Sequence, residues 1–107
     1  MTAVSFIKSD DLITGFELKG HAGFSKKGTD DLLCAVISSA VYMTVNTITD
    51  VLMLDADICE KDGYMKMRLS SQDALKAQDI LKGFELHITE LSKQYQRNIK
   101  VKIRRCK

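Results

Sequence analysis

From Leu32 to Thr49 the chain runs 18 residues without a charged side chain. Wound as a helix, this run is apolar nearly all round, so it must be covered from more than one direction. Its length reaches the lower edge of a bilayer span. Ser38, Ser39, Thr44, Asn46, Thr47 and Thr49 dilute its hydrophobicity, however, and Asp50 closes it. A helix buried inside a globular domain is therefore expected. Thr29 or Asp30 can cap it, acids occupy its first turn, and it should end near Leu52.

The segments around this helix alternate with a period of two. Residues 2–8 and 12–19 read as strands joined by a turn at Ser9-Asp10-Asp11, with Gly15 marking a bulge. Residues 56–61 and 64–69 read as a second hairpin around Asp62-Gly63. Ser70 or Ser71 can cap a second helix over about 72–96, whose stripe is Ala77, Ile80, Leu81, Phe84, Ile88, Leu91 and Tyr95. The last strand places Ile99, Val101 and Ile103 on one face and Lys100, Lys102 and Arg104 on the other. The order ββ-α-ββ-α-β predicts an α+β fold, a mostly antiparallel sheet with two helices packed on it. Its 107 residues form a single domain with no repeat, linker or proline.

Sixteen basic and 14 acidic residues give a net charge of only +2, which does not predict non-specific nucleic-acid binding. Basic residues nevertheless crowd the C-terminus: Arg97, Lys100, Lys102, Arg104, Arg105 and Lys107. Two readings stay open, a solvated tail and a contact with an acidic partner such as RNA. The three cysteines, Cys34, Cys59 and Cys106, are odd in number and form no C-x-x-C. Neither a disulfide framework nor a zinc cluster follows, and a reducing cytoplasmic setting is expected. Lys8, Asp10 and Asp11 interrupt the N-terminus, so no signal peptide and no membrane association are expected. No dinucleotide or phosphate loop occurs, and Asp50, Asp55 and Asp57 make no metal loop, so no metal or cofactor is expected.

Cys34 falls in the first turn of the long helix if Asp30 or Asp31 starts it. Thiols at helix N-termini are reactive, and the free N–H groups there can hold an oxyanion. His21 ends the second strand, 13 residues earlier. Histidine serves as base and then acid near neutral pH, and the intervening glycine-bearing loop is long enough to bring imidazole to thiol. A lone Cys and a lone His are common in small domains, and a buried thiol is more often a packing group. The words around them say more: Gly20-His21-Ala22-Gly23, then Gly28, then Asp31-Leu32-Leu33-Cys34-Ala35-Val36-Ile37-Ser38.

These words resemble the pattern of the ribosomal-processing cysteine proteases called Prp: G-H-A, a short glycine-bearing loop, and D-[IV]-[IV]-C-A-x-[VI]-S. The resemblance implies a cysteine endopeptidase that removes the N-terminal extension of large-subunit ribosomal protein twenty-seven. The catalytic residues would be Cys34 as nucleophile and His21 as general base and acid. Asp31 and Ser38 fall on the family's Asp and Ser as supporting residues, and a homodimer is the implied state. Gly23, Phe24, Lys26, Lys27 and Gly28 would belong to a substrate-gating loop. The chain departs from the pattern in a His–Cys stretch one residue longer, in the doubled Asp30-Asp31, and in Leu32-Leu33 for a β-branched pair. His87, Cys59 and Cys106 read as structural or solvent-edge residues. The alternative is a non-enzymatic ribosome-associated or RNA-binding module, which the basic C-terminus favours and the scattered aromatic residues do not.

Overall fold

Both hairpins close through two-residue turns. In the computed structural model, which describes residues 1–20 and 29–106, β1 (Thr2–Ser9) and β2 (Leu12–Lys19) pair antiparallel around Asp10-Asp11. Asp10 takes the left-handed conformation at φ 55°, which short polar side chains tolerate. The second hairpin joins β3 (Asp57–Lys61) to β4 (Tyr64–Arg68), with Gly63 at φ 73°. The bulge expected near Gly15 is present: Ile7 faces Gly15 but Lys8 faces Ile13, so Thr14 is the extra residue. Gly15 itself is required for another reason. A Cβ there would lie 2.2 Å from the Met67 carbonyl oxygen of β4.

The five-stranded sheet runs β3-β4-β2-β1-β5, where β5 is Ile99–Arg105. Every pairing is antiparallel except β1 with β5. That parallel contact follows from the crossover through the helices between β4 and β5. Helix α1 (Thr29–Asn46) packs Leu33, Ile37, Val41 and Val45 into the core, and a π-helical turn over Thr47–Val51 adds Ile48. The hydroxyls of Thr44, Thr47 and Thr49 bond back to the carbonyls four residues earlier, which loosens the ladder where the helix widens. By length and composition Leu32–Val51 is long and apolar enough to cross a membrane, but its inner face lines the core.

The expected second helix is two helices, α2 (Ser71–Lys76) and α3 (Gln78–Gln94). Ser70 caps the first, accepting from the Asp73 N–H at 3.2 Å. The break at Ala77 coincides with a tertiary contact. The Gln78 amide accepts from the Ile13 N–H at 3.0 Å and donates to the Ile13 carbonyl at 2.8 Å, so the bulged strand claims this side chain. Phe84 of α3 meets Phe6 and Phe16 edge-on, with centroids 5.5 and 4.9 Å away. Burying each such ring is worth roughly 1.5–3 kcal/mol. In β5 the inward set fades along the strand: Ile99 is buried, Val101 partly covered, and Ile103 exposed. All helices lie on the sheet face that carries Val4, Phe6, Phe16, Met65 and Met67. No helix covers the opposite face among the described residues.

Candidate active site

Cys34 is half-buried and lines a cleft of about 530 Å³ between α1 and the β3–β4 hairpin. The helix begins at Thr29, so Cys34 is its sixth residue and stands in the second turn, not the first. Free helical N–H groups belong to the first four residues, and the helix dipole acts over the first turn. A thiol at this position gains little from the helix end, and to act as a nucleophile it would need a neighbouring base.

Residues 34, 38 and 42 follow one another at helical i, i+4 spacing, and Cys34, Ser38 and Tyr42 line the same cleft. Across from them stand Glu60, Lys61, Asp62 and Tyr64 of the hairpin. The Tyr42 hydroxyl donates to the Glu60 carboxylate, tying helix to hairpin. That bond, then burial, then the charge of Glu60 hold the Tyr42 phenol above its ordinary value of 10.0, so it stays a donor. The i, i+4 step from Ser38 is the signal by which Tyr42 can be found in the sequence. Glu60 carries no such signal, because only strand pairing brings it near.

Gly20 lines the same cleft. Its N–H donates to the Gly63 carbonyl at 2.9 Å, which fastens the end of β2 to the hairpin turn. It holds φ 92°, and a Cβ would fall 2.4 Å from the Met1 carbonyl oxygen. This position needs glycine on both counts. His21 is the next residue along the chain. It lies outside the described residues, as do Gly23, Phe24, Lys26, Lys27 and Gly28. Asp31 is placed as the third residue of α1. Cys59 and Cys106 are exposed and do not line the cleft. Exposed His87 instead borders a groove of about 640 Å³ between α1 and α3, with Val36, Met43, Ile80 and Phe84.

A family model for the cysteine protease Prp matches residues 1–100. The chain belongs to the Prp cysteine protease family. It is therefore an enzyme that hydrolyses peptide bonds, which closes the non-enzymatic alternative. Among solved structures, the Streptococcus mutans protein SMU.848 is 28% identical, with a TM-score of 0.82 over 99% of this chain and 96% of that one. The essential ribosomal-processing protease Prp of S. aureus, in complex with a covalently linked product peptide, is 24% identical. It shares the fold at a TM-score of 0.85 over 97% of this chain and all of its own. No curated protein matches the sequence.

Proposed function

We propose that this Prp-family chain removes the N-terminal extension of large-subunit ribosomal protein twenty-seven in a bacterial cytoplasm. Cys34 is the nucleophile and His21 the general base and acid. The observation that carries this reading is that Cys34 lines the same cleft as Gly20, the residue before His21. The S. aureus relative is named for ribosomal processing and carries a product peptide on the same fold, which supports a peptide as occupant and a ribosomal protein as its source.

In this mechanism the Cys34 sulfur attacks the scissile carbonyl carbon and His21 takes the thiol proton. The tetrahedral intermediate collapses by breaking the C–N bond, and His21 gives its proton to the leaving amine. Water then adds to the thioester with His21 as base, releasing the acid product and restoring the thiol. Ser38, one turn beyond Cys34 in the same cleft, and Asp31, one turn before it, are the supporting polar residues. Exposed Leu32, Val36 and Met43 leave the outer side of α1 uncovered, which supports a homodimer formed through this helix.

The deciding experiment incubates the protein with the N-terminally extended ribosomal protein and reads the products by mass spectrometry. One cleavage that frees the extension is expected, and Cys34→Ser abolishes it. No cleavage by the wild-type enzyme, or unchanged cleavage by Cys34→Ser, would overturn the reading.

A further inference from the structure

The sheet face without helices is strongly basic. Strand register decides which side chains share it. Ser5 of β1 pairs with Glu17 of β2 and Lys102 of β5, and Glu17 pairs in turn with Lys66 of β4. Alternation from these positions puts Lys19, Lys61, Lys66, Arg68, Lys100, Lys102 and Arg104 on one surface among the described residues. The carboxylates in that set are Glu17 and Asp57, the latter opposite Arg68 at the β3 edge. Seven cations against two carboxylates leave this face of a nearly neutral protein strongly positive, on the side of the sheet opposite the helices.

Glu17 is buried within that face and does not cancel it. It accepts from Tyr64 at 2.7 Å, pairs with Arg104, and lies 3.8 Å from Lys19. It neutralises at most one cation and aligns the others. Arg68, Lys100 and Lys102 are exposed. Lys100, Lys102 and Arg104 form a row with about 6.6 Å between neighbours. The adjacent strand β1 brings Ala3, Ser5 and Ile7 to this face, so the cations of β2 and β4 lie two and three strands away, at about 4.8 Å per strand.

We propose that this face binds the phosphate backbone of structured RNA. A broad sheet cannot enter the major groove of B-DNA, which admits one helix or a two-stranded ribbon. It can lie against the wide, shallow minor groove of an A-form duplex and its flanking phosphates. Stacking on single-stranded bases is not provided for among the described residues: the one aromatic residue they bring to the face, Tyr64, has its hydroxyl tied to Glu17. A bilayer is disfavoured because Ile7, the large aliphatic on this face, is buried and offers nothing to insert. The binding is independent of sequence and lies apart from catalysis. It would bring the peptidase to a substrate seated on RNA.

The test measures fluorescence anisotropy of the full chain with a labelled RNA stem-loop of about 16 base pairs. With about four phosphates engaged, raising KCl from about 50 to about 200 mM should weaken binding about a hundredfold. Two stems of unrelated sequence should bind within about threefold of each other. Lys100→Glu/Lys102→Glu should weaken binding by at least about tenfold and flatten the log–log salt slope by about 2. Lys76→Glu/Lys82→Glu, the same charge change on exposed helix positions, should stay within about threefold of wild type. Thermal melting checks each fold, and Lys100→Gln/Lys102→Gln replaces the reversal if it fails to fold. Unchanged affinity in the sheet-face variants would overturn the proposal. So would tighter binding to a poly-glutamate peptide, or to vesicles of mixed zwitterionic and anionic lipid, than to RNA. None of these readouts depends on which peptide the enzyme cleaves.

Discussion

Replacing Gly20 with alanine perturbs the site without touching a reacting group. Gly20 sits at φ 92°, where an L side chain is strained by about 1–2 kcal/mol. The new Cβ would also fall 2.4 Å from the Met1 carbonyl oxygen. Relieving an overlap of that kind costs about 1–3 kcal/mol. Met1 is well exposed, so it can yield, and the lower half of that range applies, about 1–2 kcal/mol. The sum is about 2–4 kcal/mol. At about 4–8 °C per kcal/mol for a domain near this size, melting should fall by about 8–32 °C. The effect on catalysis should be larger than stability requires. Gly20 ties β2 to Gly63 and precedes His21, so under the proposed mechanism its displacement would move the base relative to Cys34. A misplacement near 1 Å costs about a hundredfold. Differential scanning fluorimetry gives the melting shift, and kcat/KM on the extended ribosomal protein, measured well below the variant's transition, gives the second quantity. Melting within about 2 °C of wild type together with comparable cleavage would refute the argument.

Other outcomes follow from the same geometry. Gly83→Ala meets no atom within 4 Å and removes a glycine from α3, so it should raise stability by about 0.5–1 kcal/mol in urea melts. Cys34 should alkylate faster than exposed Cys59, the reverse of the order that exposure predicts, and His21→Ala should slow Cys34 alone. Cys59→Ser and Cys106→Ser should process the substrate as wild type does. Burial pushes the Glu17 carboxyl up, but hydrogen bonds from Tyr64 and Arg104 and the charges of Arg104 and Lys19 outweigh it and hold it below its ordinary 4.5. A depressed carboxylate stabilises the fold above the unfolded value and loses that contribution as pH falls through the folded one. The stability gap between wild type and Glu17→Gln should therefore close as pH drops below 4.5; a gap constant from neutral to strongly acid pH would count against this pairing. Light scattering at micromolar protein should give a dimer mass, and a monomer would argue against assembly through α1.

What the amino-acid sequence determines here is local. Period-two alternation marks the strands, Asp10-Asp11 and Asp62-Gly63 mark their turns, and the uncharged run marks α1. These depend on side-chain spacing and backbone preference within a few residues. The words around His21 and Cys34 were likewise readable, because a chemical motif is local on each side of its loop. Three features waited for the tertiary structure. The helix break at Ala77 falls where Gln78 bonds both the Ala74 carbonyl and the backbone of Ile13, 65 residues away. The Tyr42–Glu60 tie across the cleft exists only because the hairpin packs beside α1. The basic face combines β5 with β2 and β4, and the parallel β1–β5 register that aligns it has no trace in any single segment. Strand partners far apart in the chain are chosen by which pairing buries the apolar faces together and satisfies the backbone. That choice belongs to the whole fold and not to any window of the sequence.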